Sequence, residues 1–333
     1  MSEIRQSPAT KEWVIVATER AKRPEDFAKA APAPRAPRFS PACPFCPGNE
    51  KLTPPEIASN RDEQGSWTLR VVPNRFPALL PTEDSNREES CELFRKIPGL
   101  GQHEVIIETP VHNEPLGRSG DEKALEIVSM YRDRYRSLRE DARFKLITIF
   151  RNYGVSAGTS LEHPHSQLVA TPVVPLHIRH RLEEATRFYD DTGSCVFCRI
   201  IEAEKKERER VVMERDGFIV IEPFASRSPF ETWILPLAHR STFGEATSEE
   251  IAGFARVLNR VLSRLATGLQ DPAYNMVVQT APVHEEGEDY YHWHVKIFPR
   301  VTTPAGFELG TGVYINTVLP ESAARYLRDI KEE

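Results

Sequence analysis

Within LEHPHSQLVA (161–170), His163, His165 and Gln167 follow one another at two-residue steps. On an extended chain, residues two apart face the same side. A neutral imidazole offers a lone pair to a metal or to an electrophile. The stretch is open to three readings: decoration of a buried strand, two metal ligands, or one ligand beside one nucleophile.

The cysteines narrow the choice. Of five, Cys43 and Cys46 form one C-x-x-C pair and Cys195 and Cys198 another, with Cys91 left over. The first pair is followed by RVVPNRFPAL (70–79), HEVIIETPVHN (103–113) and HPHSQLVATP (163–172). The second is followed by FIVIEPFAS (218–226), FETWILPLAHR (230–240) and HWHVKIFPR (292–300). The chain therefore states one pattern twice. A Cys pair comes first, then a β-rich segment with a proline turn, a strand running into a histidine, and an H-x-H leading a last strand. Zinc favours four tetrahedral N/S ligands with a C-x-x-C clamp. This gives Cys43, Cys46, His112 and His163 as one expected zinc site, and Cys195, Cys198, His239 and His292 as a second. Filled this way both are structural, since four protein ligands leave no open position. The competing redox reading needs a helix after the pair in a βαβ context, which is expected of neither. With His163 on zinc, His165 remains a free imidazole with Gln167 on its face.

The elements that must hold these residues are legible from periodicity. DEKALEIVSMYRDRYRSLRED (121–141) and TSEEIAGFARVLNRVLSRLATGL (247–269) repeat apolar residues at helical steps, the second behind a Thr247/Glu250 capping box. WVIVAT, TLRVVP, HEVIIETP, KLITIF, SQLVAT, VVMERDGFIVI, ETWILPL, YNMVVQT and HVKIFP read as strands. The expected fold class is α+β: two half-domains, 1–180 and 181–333, each an antiparallel sheet crossed by one main helix, with the join near 173–194. Residues 28–42 read as a proline-rich connector and 81–90 as a solvated loop.

The chain has 333 residues, is 40% hydrophobic and carries a net charge of −6. That acidic balance argues against nucleic acid as a partner. Without a membrane-length apolar run or a signal-peptide layout, no membrane partner and a cytoplasmic location are expected. Upstream of His163, GVSAGTS (154–160) supplies small residues whose amides can approach an anion, without matching a P-loop. Arg20 and Arg23 lie in a basic turn, and guanidinium groups suit phosphate.

RQSPATKEWVIVATERAKRP, CPFC, NRFPAL, ETPVH, RNYGVSAGTSLEHPHSQ and HWHVKIFP together resemble the galactose-1-phosphate uridylyltransferases of the histidine-triad superfamily, over nearly the whole chain. The resemblance implies two fused histidine-triad-like halves and a homodimer whose partner contributes to the active site. It implies ping-pong transfer of UMP from UDP-glucose to galactose 1-phosphate or a related hexose 1-phosphate, through a histidyl–nucleotide. Carried over, His165 is the nucleophile and Gln167 bonds the transferring phosphoryl group. Arg20 and Arg23 lie on the phosphate side, and Asn74 at the nucleoside. Asn152, Gly158 and Ser160 occupy phosphate-loop positions, and Glu308 matches a hexose-binding glutamate.

The chain departs from the best-known members at Leu161-Glu162, where they read Asn-Pro, and at Lys296, where their second half has a histidine. The second Cys pair and AGFELGTGVYIN (305–316) look like the ADP-glucose phosphorylase branch, which passes an adenylyl group to phosphate. That activity, or a dinucleoside polyphosphate phosphorylase, is the alternative within the class. A non-catalytic nucleotide-binding zinc protein is the alternative outside it. Small histidine-triad hydrolases need a third histidine, where Gln167 and Lys296 stand.

Overall fold

In the computed structural model, which describes residues 2–17, 36–81, 88–90 and 93–331, ten strands form one antiparallel sheet spanning the molecule. Five come from the first part of the chain: β3 (Ala58–Arg61), β4 (Trp67–Pro73), β7 (Gln102–Ile107), β8 (Leu146–Tyr153) and β9 (His165–Thr171). Five come from the second: β10 (Val211–Arg215), β11 (Phe218–Ile221), β12 (Thr232–Pro236), β13 (Tyr274–Gln279) and β14 (His294–Pro299). The order is β10-β11-β12-β14-β13-β8-β9-β7-β4-β3. Each run of five thus has the same topology, and the two meet edge to edge along β8 and β13. Tyr274 faces Tyr153 and Asn275 faces Asn152 across that seam. The internal repeat in the sequence is the cause: two like half-sheets each bring one edge strand to the seam, and pairing β8 with β13 covers those two edges while β10 and β3 stay at the outer ends.

Helix α1 (Gly120–Arg139) precedes β8, and α4 (Ser248–Gly268) precedes β13. Both cover one face of the sheet and pack against each other, giving a core that runs across the seam. Ile127, Val128 and Tyr131 of α1, Phe254, Leu258 and Val261 of α4, and Ile149, Leu168, Met276 and Val295 of the strands are all buried in it. Each such side chain contributes roughly 1.5–3 kcal/mol by leaving water. Thr247 and Glu250 close the expected capping box on α4.

The remaining elements lie around this sheet. β1 (Glu3–Gln6) and β2 (Trp13–Val16) pair antiparallel, and β15 (Tyr314–Asn316) joins β2 in parallel. β5 (Glu88–Ser90) and β6 (Phe94–Lys96) pair antiparallel. Helices α2 (Leu176–Thr192) and α3 (Val196–Glu207) cover the other face of the second half. Two short helices, α5 (Gly306–Thr311) and α6 (Pro320–Asp329), follow β14. Among the described residues no helix is long and apolar enough to cross a membrane.

Some expectations need correction. VVMERDGFIVI is a hairpin, not one strand: Asp216 and Gly217 both take positive φ, at 50° and 81°, and turn β10 into β11. Such Asp-Gly turns match the twist of the flanking strands. The stretch 173–194 is mostly the helix α2, whose sparse apolar residues hid its period. Part of the 81–90 loop is β5. The second Cys pair does open a helix, with Cys195 as the N-cap of α3. Arg20, Arg23 and Cys91 lie outside the described residues.

Candidate active site

The first cysteine pair sits on a turn that folds back over the end of β9. Cys46 Sγ lies 3.4 Å from His112 Nδ1 and 3.6 Å from His163 Nδ1, and Cys43 Sγ is 3.6 Å from His163 Nδ1. The four ligand atoms are all within 4.8 Å of one another and all four residues are buried. The outward nitrogen of His163 is held by a carbonyl, with Nε2 donating to Thr109 at 2.7 Å. That bond fixes the tautomer with the Nδ1 lone pair toward the thiols, the usual outer arrangement of a metal-binding histidine. Burial pushes the His163 pKa down to about 4, which favours the neutral ring that binding a metal ion requires. The second group repeats the plan. Cys198 Sγ is 3.2 Å from His239 Nδ1 and 3.6 Å from His292 Nδ1, and His292 Nε2 donates to Pro236 at 2.9 Å. Cys195 completes this set. Two groups able to hold a metal ion are thus built from the residues expected.

Two residues beyond His163, His165 turns its Nδ1–H back to the His163 carbonyl at 2.8 Å. Its Nε2 makes no hydrogen bond among the described residues, so the lone pair is available at the sheet face. Phe45, between the two cysteines, packs edge-on against both rings, 6.0 Å from His163 and 5.5 Å from His165. His165 is 8% exposed. Burial lowers its pKa against the raising effect of the His163 carbonyl and Glu108, which favours the neutral ring.

β7 runs beside β9 with Ile107 opposite His165 and Val105 opposite Gln167. By alternation His103 shares that face. Gln167 Oε1 lies 2.7 Å from His103 Nε2, and Asn74 Nδ2 lies 3.1 Å from the same nitrogen. Asn74 and Gln167 are therefore brought together by a third residue, His103, that was not singled out in the sequence. Its alternation with Val105 and Ile107 was the available signal.

The loop before His163 is a 3-10 turn, Val155–Ala157, between Gly154 and Gly158. Gly158 has φ +86°, a conformation that any side chain would strain. Asn275 staples the loop across the seam, donating to Asn152 Oδ1 at 2.7 Å and to the Ala157 carbonyl at 2.8 Å. Ser160 is exposed beyond it. A cavity of about 570 Å³ opens on this loop, lined among others by Ser156, Thr159, Pro164 and Arg118. Glu308 is elsewhere: it caps the Ala305 N–H at 3.0 Å and lines another cavity of about 500 Å³ with Arg227, Arg300 and Tyr314. The structure does not bring it into the group around His165.

Below the strand, on the helix side, lies a buried polar network that sequence reading did not anticipate. Arg151 and Glu108, each 1% exposed, make a bidentate pair with bonds of 2.9 Å from both Nε and Nη2. Glu108 also accepts from Ser166, whose hydroxyl meets Tyr131 at 2.5 Å. Burial raises the Glu108 pKa, but the Arg151 charge and hydrogen bonds outweigh it and hold the carboxyl below its usual range. Ser166 separates His165 from Gln167, so the network anchors the strand between them. Arg151→Met leaves a buried carboxylate without its cation and is expected to cost about 3–5 kcal/mol. Urea denaturation would measure this, with the double change Glu108→Leu/Arg151→Met recovering most of the loss. A single change costing under about 1 kcal/mol would show that the pair is dispensable.

In the second half, His294 repeats the His165 posture, its Nδ1 donating to the His292 carbonyl at 3.0 Å. Its ring, however, is stacked 5.2 Å from Trp233 and 4.6 Å from Phe197, and is 1% exposed. The equivalent imidazole is therefore walled in.

A duplicated α+β sheet in which each half anchors an H-x-H strand to a Cys2His2 group is the architecture of a double histidine-triad-like protein. The chain belongs to the galactose-1-phosphate uridyl transferase family of nucleotidyltransferases. The N-terminal domain model of that family matches residues 1–175, and the model of a domain of unknown function, DUF4921, matches residues 118–331. The chain is 37% identical to the ADP-glucose phosphorylase of Arabidopsis thaliana, over 98% of this chain and 93% of that one. It is 33% identical to the galactose-1-phosphate uridylyltransferase of Thermotoga maritima, over 100% of each. A solved structure of an Arabidopsis thaliana ADP-glucose phosphorylase with bound ADP-glucose matches at a TM-score of 0.85, 34% identity and 99% coverage of both chains.

Proposed function

We propose that this protein moves a nucleoside monophosphate from a nucleoside-diphosphate hexose to a phosphate acceptor, with His165 as the covalent carrier. The observation that carries the reading is the posture of His165. Its Nδ1–H is tied to a backbone carbonyl, and its Nε2 lone pair is free at the start of a strand that leads out of a Cys2His2 group able to hold a metal ion. In the first step Nε2 attacks the α-phosphorus. The bond from that phosphorus to the bridging oxygen breaks and hexose 1-phosphate leaves. The carbonyl of His163 meets the positive charge that develops at Nδ1–H. In the second step an acceptor phosphate oxygen attacks the same phosphorus, the P–N bond breaks and the imidazole is restored. Gln167 and the amides of the 154–160 loop face the phosphoryl oxygens, with Asn152, Gly158 and Ser160 shaping that loop and Asn74 at the nucleoside. Arg20 and Arg23 are proposed to add charge on the phosphate side.

The two Cys2His2 groups fit zinc by donor type and number. Zinc there would supply a fixed scaffold. The working assembly is proposed to be a homodimer, with Glu308 contacting the hexose.

Similarity to the Arabidopsis enzyme over nearly the whole of both chains favours adenylyl transfer from ADP-glucose to phosphate. Similarity to the Thermotoga enzyme supports the second reading, uridylyl transfer from UDP-glucose to galactose 1-phosphate. Purified enzyme should be given ADP-glucose with phosphate, and UDP-glucose with galactose 1-phosphate, following nucleotide products by chromatography. ADP in the first mixture is the expected result. UDP-galactose in the second without ADP in the first would replace it with the second reading, and no product in either would end both.

A further inference from the structure

We infer that His103 is a positioning residue that aims the Gln167 carboxamide at the transferring phosphoryl group and links that aim to what binds beside Asn74. This rests on the roles given above to His165 and Gln167.

A carboxamide has one donating and one accepting end, and the wrong end would repel a phosphoryl oxygen. Something must therefore decide which end of Gln167 faces the His165 side. Among the described residues, the hydrogen-bond contact of the Gln167 side chain is His103 Nε2, 2.7 Å from Oε1. With its proton on Nε2, His103 grips that oxygen and leaves the NH2 group to donate to the substrate.

The tautomer has a physical cause. His103 Nδ1 is buried without a partner among the described residues. A buried N–H with no acceptor is tolerated less well than a buried lone pair, so the proton belongs on Nε2. Asn74 then becomes informative. Its Oδ1 accepts the Phe76 N–H at 2.9 Å, which turns its NH2 toward His103 Nε2 at 3.1 Å. One ring nitrogen cannot accept from Asn74 while donating to Gln167. In the tautomer that holds Gln167, the Asn74 NH2 is left for an acceptor on a ligand. A ligand that takes it removes the competitor for His103 Nε2 and so favours the aimed form of Gln167.

The second half provides a contrast within the same chain. There the register places Trp233 opposite Lys296 as Val105 stands opposite Gln167. Two residues earlier, Glu231 takes the place of His103. Its carboxylate is engaged by Trp233 Nε1 at 2.8 Å and by the Arg227 N–H at 2.6 Å. The link of three side chains is present on the half whose imidazole is accessible, and not where it is walled in.

The test is a double-mutant cycle on the single-turnover rate of nucleotidyl-enzyme formation, using ADP-glucose, or UDP-glucose if that is the substrate used. Q167A is expected to slow the step by about 10²-fold. H103F and H103N, which cannot reach Oε1 with a donor, should each slow it by about 10–100-fold. H103Q, whose amide can reach as far as Nε2 does, should restore the rate to within a few-fold. The decisive readout is non-additivity: in the Q167A background, H103F should change the rate by less than about twofold. Thermal melts of each variant separate loss of fold from loss of aim, and H103N carries the cycle should H103F unfold. Losses that multiply, or a wild-type rate in both H103F and H103N, overturn the inference while leaving the Gln167 reading intact. A wild-type rate in Q167A overturns the role of Gln167 and the inference with it, and leaves His165 as the nucleophile.

Discussion

His165→Asn is expected to lower nucleotidyl transfer by at least about 10⁴-fold with fold and metal content unchanged. The asparagine amide can replace Nδ1–H in its bond to the His163 carbonyl, so the strand end keeps its local partner. What it lacks is a nucleophilic lone pair at the Nε2 position. Without the covalent carrier, two displacements assisted by the site become one reaction between two anionic phosphates. Incubation with labelled nucleotide sugar and no acceptor should label the wild-type chain and not the variant. A variant that retains a tenth of the wild-type rate, or still takes up label, would remove His165 from the chemistry. The second-half variant His294→Asn should leave the transfer rate within a few-fold, because that ring is enclosed by Phe197 and Trp233 and cannot meet substrate.

Loss of the first metal group should have the next largest effect, and it joins stability to activity. Cys46 reaches both histidines of the group, at 3.4 and 3.6 Å, so Cys46→Ser removes its central ligand. Structural zinc adds its binding energy to folding. Losing one site is expected to cost several kcal/mol and to lower Tm by roughly 10 °C. Activity should fall further than the melting curve alone predicts. The same turn carries Phe45, which packs on His165, and His163, a member of the group, supplies the carbonyl that orients the proposed nucleophile His165. Zinc content should drop by one equivalent per chain, read by elemental analysis. A variant with unchanged zinc and unchanged transfer would show that this group is no metal site. Cys198→Ser, in the half whose imidazole is enclosed, should lose the other equivalent and some stability with a much smaller effect on the rate.

Both expectations were reachable from the chain because the residues involved are local or repeated. His165 and Gln167, two apart on β9, share a face whatever the rest of the fold does, and His163 lies on the bend that leads into that strand. Two C-x-x-C pairs followed in the same order by the same histidine contexts carry their own internal control. The two long helices announced themselves through their apolar period, and the Thr247/Glu250 cap through its spacing. The helices α2 and α3 did not, because burial of a helix against a second sheet face depends on surfaces that only the assembled sheet provides.

The sequence by itself determined the residue types at the candidate site: one imidazole in a group able to hold a metal ion, one further imidazole and one carboxamide in a row, in a chain that repeats itself. Only the tertiary structure decided that the two halves share one ten-stranded sheet, since edge pairing between β8 and β13 joins residues more than a hundred positions apart. It also decided that His165 is accessible while His294 is enclosed, because aromatic side chains from α3 and β12 cover the latter. The contacts that tie Asn74 to Gln167 through His103, and the Glu108–Arg151 pair beneath Ser166, bring together residues on, or just after, different strands. Periodicity assigns each of these to a face. Their meeting is set by strand order and register, which the spacing of residues along one strand does not encode.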